Sequence, residues 1–596
     1  MRQLVHNGIL VPRYEWKKIR IKVNGPEVEL SPQQEEMAVA WVKKLGTEYV
    51  NDKVFVKNFF KDFCEELHLE KVLGPEAFDF SPIISFVESE KERKLSLSKT
   101  EKKQQTKERK KQREAFKEKY GYATVDGVRT EISNYVAEPS CIFMGRGKHP
   151  LRGRWKQGPR EEDVELNISD ASHLQGGWKR TWQPEVMWVA RWTDNLSQKV
   201  KYVWLAESSA PKQAKEMEKF EKAKELQRNI GLIKRHIEDN LDSPDLKRRK
   251  AATVCFLIDR LKIRVGDEKD PDEADTVGAS TLRPEHVRFD ESGKVVFSFL
   301  GKDSVPHVFS EELPQNVVRN LREFSSNTKS TLFNGVDSSR VSEFLGEVVH
   351  GLSAKVFRTY YASRAVEGKL DESTVKAENP EYAKRYAATM ANLEAAKTCN
   401  HKRTITKTWE ASLQKQEERH RSLVNKSKAS VAKMQRQAET LEQKFESLTK
   451  KEEERLNSLQ QKLEILQNKL NTESSQAEKN PRLPKQVSKL KGAVSEQKTR
   501  IKRIMDKHAE QARRIRERIG ERQKRTKAAV EKSRLQIDAK RRTRDYNLGT
   551  SLKSYVDPRI YYDWGRKVGY DWKLYYPKAL QKKFSWVETP SSDKHD

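Results

Sequence analysis

Five cationic side chains, far apart along the chain, fall where predicted elements end or turn. Arg264 precedes Gly266, which reads as the stop of a helix over 251–266. Lys302 sits in the turn of a hairpin read over 294–310, where KVVFSFLGKDSVPHVFS alternates, breaks at Gly301-Lys302-Asp303 and resumes. Lys355 and Arg358 stand one helical turn apart in GLSAKVFRTYYAS (351–363), and His401 lies in TCNHKR (398–403). Guanidinium, ammonium and imidazole groups suit a reacting phosphodiester, because its phosphorane transition state spreads negative charge over oxygens that donors must meet. Such chemistry also needs a nucleophile and a proton donor for the departing oxygen. Taken singly, each of the five is more often a surface or packing residue.

Other familiar signatures are missing. The sequence has no GxxxxGK[ST] loop, no HExxH, no GxSxG and no carboxylates at metal-ligand spacing. An ATP-driven motor is disfavoured, and any phosphodiester chemistry here is expected to run without nucleotide hydrolysis and without an obligatory metal. Four cysteines (Cys64, Cys141, Cys255, Cys399) are scattered without any C-x-x-C pair, which supports neither a disulfide framework nor a structural zinc site and fits a reducing, intracellular setting.

The elements that must position these residues belong to a long, basic chain. Its 596 residues carry 118 Lys and Arg against 88 Asp and Glu, a net charge of +30. The length fits several domains of roughly 100–200 residues each. The charge predicts an acidic partner, nucleic acid before a membrane surface, because clustered cations attract phosphates and release counterions. No run approaches the ~18–20 apolar residues of a membrane span, and the first twenty residues contain no continuous apolar stretch.

Four regions follow from patterning. Residues 1–207 read as mixed α/β, with strands in EVMWVARWTD (185–194) and VKYVWLAE (200–207), an inserted subdomain over about 14–95, and an almost wholly polar run at 89–119. Residues 208–403 are dominated by helical spacing. Residues 404–545 have almost no glycine and few aromatics, and apolar residues recur in threes and fours: Leu459, Leu463, Leu466 and Leu470, then Val487, Leu490, Val494, Ile501 and Ile504. Between these arms Pro481 and Pro484 interrupt the helix. An antiparallel helical hairpin with arms of roughly 60 residues, on the order of 90 Å, is the simplest reading. Its second arm, 485–545, holds 22 Lys and Arg against 8 Asp and Glu, an excess of +14. The tail, 546–596, is rich in Tyr and Trp that can anchor a small helical domain.

With Tyr555 added, the ordered set Arg264, Lys302, Lys355-x-x-Arg358, His401 and Tyr555 closely resembles the catalytic set of the eukaryotic-type DNA topoisomerase IB family. The surrounding words carry the same resemblance: FMGRGKHP (143–150), IRVGDEKDPDEADTVGASTLR (263–283), FLGKDS (299–304), GLSAKVFRTY (351–360), CNHKR (399–403) and LGTSLKSYVDPR (548–559). It implies a multidomain, mainly α protein with α+β parts. The parts would be a bilobed DNA clamp (1–207 and 208–403) whose second lobe is a tyrosine-recombinase-like helical catalytic domain, a coiled-coil linker (404–545) and a small helical carboxy-terminal domain (546–596).

The implied activity is an isomerase reaction that relaxes supercoils of either sign by transient single-strand cleavage, swivelling and religation, with no ATP and no metal. Tyr555 would attack phosphorus and form a 3′-phosphotyrosyl link. Arg264, Arg358 and His401 would hold the non-bridging oxygens, and Lys302 would protonate the leaving 5′-oxygen. A phenol is a weak nucleophile at neutral pH, so positive neighbours must help it lose its proton. Arg146, Lys355, Asp303 and Thr276 carry over as DNA contacts. The implied partner is double-stranded DNA, clamped by a monomer in a DNA-associated setting, the nucleus in a eukaryote or the nucleoid in an archaeal or minimal version.

Two positions depart from the family pattern. Met144 stands where the family usually has arginine. Ser554 stands where it commonly has asparagine, a position lining the family's camptothecin pocket, which implies reduced sensitivity to that drug. Two alternatives stay open: a tyrosine recombinase, whose usual His-x-x-Arg differs from Lys355-x-x-Arg358, and a non-catalytic architectural DNA binder.

Overall fold

In the computed structural model, which describes residues 1–145, 147–266, 276–301, 305–326, 328, 330–472 and 482–588, helices begin where the sequence supplies caps. Ser31 and Gln34 bond reciprocally across the first turn of Pro32–Val42, and Ser98 and Glu101 do the same for Lys99–Tyr120. The first helix buries Met37, Ala38, Val39 and Trp41. The second buries no residue, as its polar sequence demands of a solvated helix.

The chain folds as two compact bodies. One comprises Met1–Glu378, Met390–Thr404 and Tyr546–Asp596; the other comprises Asn379–Thr389 and Ile405–Asp545.

Among the described residues, three apolar cores organise the first body. In one, Trp41 stacks on Phe59 and meets Phe60 edge-on, both at 4.8 Å, and Phe63, Phe78 and Phe80 continue the cluster. In the second, the order Lys179–Thr181, Glu165–Asn167, Trp188–Thr193, Val200–Trp204 forms a four-stranded sheet over Leu4, Val189 and Leu205. Its last two strands pair antiparallel, as the alternation at 185–207 predicts. The third core joins Leu226 and Ile233 of helix Ala210–Asn240 to Phe297, Phe333 and Phe357. Each such side chain contributes roughly 1.5–3 kcal/mol on burial.

One expected boundary is corrected. The helix Leu246–Leu261 ends five residues before Gly266, because Lys262 adopts the left-handed conformation with φ 55°. Lys262 is held there by its ammonium lying 3.6 Å from the Tyr361 ring centroid, which offsets the strain of a side chain at positive φ. Gly266 (φ +85°) serves a different purpose: a Cβ there would come within 2.8 Å of Gly278 Cα, so two backbones touch. Arg264 therefore lies on an extended segment beyond the helix, its carbonyl accepting from Ala279 N at 2.8 Å. The expected hairpin is present: Val295–Gly301 pairs with Val305–Glu311 out to Gly301 opposite Val305.

The tail folds into short helices, Leu548–Ser554, Pro558–Val568 and Lys578–Lys583. Tyr561, Trp564, Tyr570, Trp572, Tyr576 and Phe584 are buried. Phe584 and Trp586 each lie 6.3 Å from Phe220 of Ala210–Asn240, so the aromatic tail packs onto that helix.

In the second body, helices Trp409–Thr472 and Arg482–Arg542, 64 and 61 residues long, run antiparallel. Ion pairs and hydrogen bonds fix the direction: Glu417 with Arg541, Ser430 with Arg522, Glu442 with His508, Glu452 with Gln497. Val487 and Val494 are buried in the seam, and Leu459, Leu463, Leu466 and Leu470 are half-buried. Pro484 does not interrupt a helix but occupies the first turn of the second arm, where a missing N–H costs nothing. Pro481 lies outside the described residues. Among the described residues no helix is long and apolar enough to cross a membrane.

Candidate active site

Three elements of the first body converge. The helix Ala354–Asp371 buries Val356, Phe357, Arg358 and Thr359, so Arg358 points inward from its first turns. After the helix Glu381–Thr398, Asn400 takes φ 54° and donates from Nδ2 to the Leu261 carbonyl at 3.0 Å. That turn directs His401 inward, with its amide bonded to the Ala396 carbonyl at 2.8 Å. The chain returns at Asn547, whose amide donates to the His401 carbonyl at 2.7 Å and whose side chain caps Leu548–Ser554. Tyr555 terminates this short helix.

The side chains meet at a buried centre. Tyr555, Arg358 and His401 are 4%, 5% and 6% exposed. Arg358 Nη1 donates to the Tyr555 hydroxyl at 3.3 Å, and Nη2 donates to His401 Nε2 at 3.0 Å and to the Cys399 carbonyl. The guanidinium carbon lies 4.7 Å from the Tyr555 ring centroid, and the His401 ring lies 5.1 Å from it. Burial, and then the charges of Arg358 and Arg264, push the His401 imidazole down to about 3. It is therefore neutral near pH 7. A guanidinium can only donate, so Nε2 accepts and Nδ1 carries the proton that bonds Ser551 Oγ at 2.7 Å. Arg358 Nε is buried without a hydrogen-bond partner among the described residues.

Arg264 is exposed, within electrostatic reach of Tyr555 and Arg358. It borders two cavities together with Arg358. The smaller, about 90 Å³, is also lined by His307, Asn400, His401 and Lys402; the other, a cleft of about 380 Å³, is lined by Lys355, Thr550, Ser554 and Tyr555. A void bounded by two guanidinium groups, with an orphaned buried donor at its wall, suits an oxyanion.

Of the residues singled out from sequence, Arg264, Arg358, His401 and Tyr555 come together, and Lys355 lies exposed at the rim of the cleft. Thr276 is half-buried beside Val277, and it is Val277 that lines the smaller cavity. Arg146, Lys302 and Asp303 lie outside the described residues.

Comparison with known proteins fits this arrangement. Residues 208–438 match the eukaryotic DNA topoisomerase I catalytic core, residues 1–205 its DNA binding fragment, and residues 527–595 the C-terminal topoisomerase domain. DNA topoisomerase 1 of Candidozyma auris is 31% identical over 98% of this chain and 81% of its own length. The chain belongs to the eukaryotic DNA topoisomerase I family. DNA topoisomerase 1 beta of Arabidopsis thaliana is 32% identical over 98% of this chain, and DNA topoisomerase 1 of Homo sapiens 28% over 98%. This chain spans 58% and 70% of those two proteins. The region matching the family's catalytic core holds Arg264, Arg358 and His401, and the region matching its C-terminal domain holds Tyr555.

The two positions that depart from the family pattern sit in different surroundings. Met144 packs against the aromatic core around Trp41 and Phe59. Ser554 lines the cleft, and its carbonyl accepts from Lys219 Nζ at 3.2 Å.

Sequence reasoning missed Ser551, fully buried one turn before Tyr555, and Ser363, whose Oγ donates to the Tyr555 carbonyl at 3.3 Å. The i, i+4 spacing of Ser551 and Tyr555 was a usable signal, since it puts both on one helix face. It also missed His307, which lines the smaller cavity; burial and the nearby Lys402, Arg358 and Arg264 push it down to about 4.

Proposed function

We propose that this chain is an ATP-independent type IB DNA topoisomerase that acts as a monomer on duplex DNA. The observation that carries the reading is the convergence of the Tyr555 hydroxyl, Arg358 and His401 beside the cavities bordered by Arg264.

Tyr555 Oη attacks the scissile phosphorus, the P–O5′ bond breaks, and a 3′-phosphotyrosyl bond replaces it. One phosphodiester is exchanged for another, so no external energy source is needed. The phenol gives up its proton to solvent water as it attacks, and the guanidinium already donating to its oxygen offsets the charge that develops there. Arg264 and Arg358 hold the non-bridging oxygens, with Arg358 Nε finding in phosphate the acceptor it lacks. Lys302 supplies the proton to the departing 5′-oxygen. The free end swivels, and the 5′-hydroxyl reverses the step.

His401 has a further requirement. Its Nε2 accepts from Arg358 in the free protein, so it can donate to a phosphate oxygen only after gaining a proton. Burial and then the two guanidinium charges keep the ring neutral, and a bound phosphodiester favours that gain by opposing those charges. Arg146 and the exposed Lys355 contact the duplex backbone or groove, where phosphate contacts make binding steeply salt-dependent.

The test incubates the protein with supercoiled plasmid in EDTA without ATP, beside Tyr555→Phe. Relaxation by the parent and none by the variant is the expected result. No relaxation by the parent, or relaxation that survives the substitution, overturns the reading.

A further inference from the structure

The backbone that delivers Tyr555 is gripped at three consecutive carbonyls by side chains from three other segments. The Lys553 carbonyl accepts from Lys583 Nζ at 3.3 Å, the Ser554 carbonyl from Lys219 Nζ at 3.2 Å, and the Tyr555 carbonyl from Ser363 Oγ at 3.3 Å. Lys583 ends the helix Lys578–Lys583, Lys219 lies on Ala210–Asn240, and Ser363 lies on Ala354–Asp371 beyond Arg358. These carbonyls belong to the end of a helix of only seven residues, where no further turn exists to satisfy them. Ammonium groups there complement both the orphan acceptors and the negative end of the helix.

The two lysines are themselves held. Lys583 is 4% exposed and pairs with Glu207 at 3.1 Å and Glu216 at 3.2 Å, while Lys219 pairs with the other oxygen of Glu216 at 2.5 Å. Glu216 thus ties both donors to one carboxylate. Ser363 Oγ also accepts from Asp557 N at 3.1 Å, which fixes the chain on the far side of the tyrosine. A buried charge that served stability alone would be an expensive device, since two desolvated ions seldom outperform apolar packing.

We infer that Lys583 and Lys219, braced by Glu216 and assisted by Ser363, are positioning residues that set the reach of the Tyr555 hydroxyl toward the scissile phosphate. This rests on the proposed cleavage reaction and names what makes the nucleophile productive in it. None of the three touches the reacting atoms; each acts through the backbone of residues 553–555. A displacement of about 1 Å at a nucleophile is enough to slow attack heavily, because the reacting atoms must already lie near contact distance.

The experiment measures single-turnover formation of the covalent protein–DNA adduct on a nicked suicide duplex, and separately the affinity for the same duplex, for the parent, Lys583→Met, Lys219→Met, Lys219→Arg, Ser363→Ala and Tyr555→Phe. Each loss of a donor is expected to slow adduct formation about ten-fold while affinity stays within about two-fold, and Lys219→Arg, which keeps a donor, should recover most of the rate. Thermal unfolding accompanies each variant. If Lys583→Met does not fold, Lys219→Met and Ser363→Ala, at half-buried positions, decide the matter. Adduct rates equal to the parent, a loss of affinity that accounts for the whole effect, or a Lys219→Arg as slow as Lys219→Met overturns the inference while leaving the proposed function standing. Absence of adduct from the parent overturns both.

Discussion

Ser551 and His401 share one hydrogen bond across 150 positions of sequence, and removing it tests what the imidazole needs. Ser551→Ala leaves the Nδ1–H buried without its acceptor, a cost of roughly 1–3 kcal/mol. The ring is then free to rotate or to change tautomer, and adduct formation is expected to fall about ten-fold or more with DNA affinity retained. An unchanged rate would show that Arg358 alone orients His401. The neighbouring Ser554 gives a second prediction, resting on the resemblance to the family's drug pocket. The parent should be poorly trapped by camptothecin, and Ser554→Asn should increase the drug-stabilised adduct; strong trapping of the parent at ordinary doses refutes it. Arg264, Arg358, His401 and Tyr555 were legible because their motifs are distinctive and ordered. Ser551 lies inside the same quoted motif, and its spacing from Tyr555 places it on the nucleophile's face, yet that spacing does not name its partner His401, which comes from another segment.

Among the elements, the two long helices were read most securely, since recurrence in threes and fours over some sixty residues leaves few alternatives. The end of Leu246–Leu261 was not legible, because a lysine closes it through contact with Tyr361, and no local rule anticipates a non-glycine residue at positive φ. The role of Pro484 was misread for a simpler reason: a proline breaks a helix interior but is welcome in a first turn, and Pro484 stands in the first turn of the second arm. The paired helices also carry a polar contact within their seam, Glu452 with Gln497 at 2.6 Å and with Arg500 at 3.1 Å, which fits a register device better than a source of stability. Because the side chains gathered around Tyr555 all belong to the other body, excising 422–435 together with 515–528, opposite one another in the antiparallel pair, should preserve cleavage and alter the supercoils removed per cleavage event. Single-molecule relaxation measures that number. Lost cleavage would show instead that the hairpin positions the tyrosine.

On the scale of the whole chain, composition announced a polyanion-binding protein, while the grouping of Tyr546–Asp596 with Met1–Glu378 depends on contacts that periodicity does not encode. Lys582 reaches Glu131 at 3.2 Å and Lys583 reaches Glu207 at 3.1 Å, so the tail is fastened to the amino-terminal segment as well as to the catalytic elements. Three histidines make the stability of this body depend on pH in a definite direction. His6, with Nε2 on the Asn167 carbonyl at 3.0 Å, is lowered to about 4 by burial, half-buried His307 likewise to about 4, and His401 to about 3. An unfolded histidine takes up a proton near 6.5, whereas these three resist protonation in the folded chain, so the unfolded state binds more protons as the pH drops below 6.5. Stability from these groups is complete above that pH and declines down to the folded values, with a slope approaching about 1.4 kcal/mol per pH unit for each. Carboxylates whose folded values are depressed, such as Glu131 and Asp194, lose their contribution only toward pH 4 and below, so histidines dominate the window from 6.5 to 5. The unfolding midpoint should therefore fall between pH 7 and pH 5, and His6→Gln, which removes one of the three titrating rings and lies away from Tyr555, should flatten the slope by about a third. A midpoint constant across that window would show that these imidazoles are already charged in the folded chain, and the tautomer assigned to His401 would go with it.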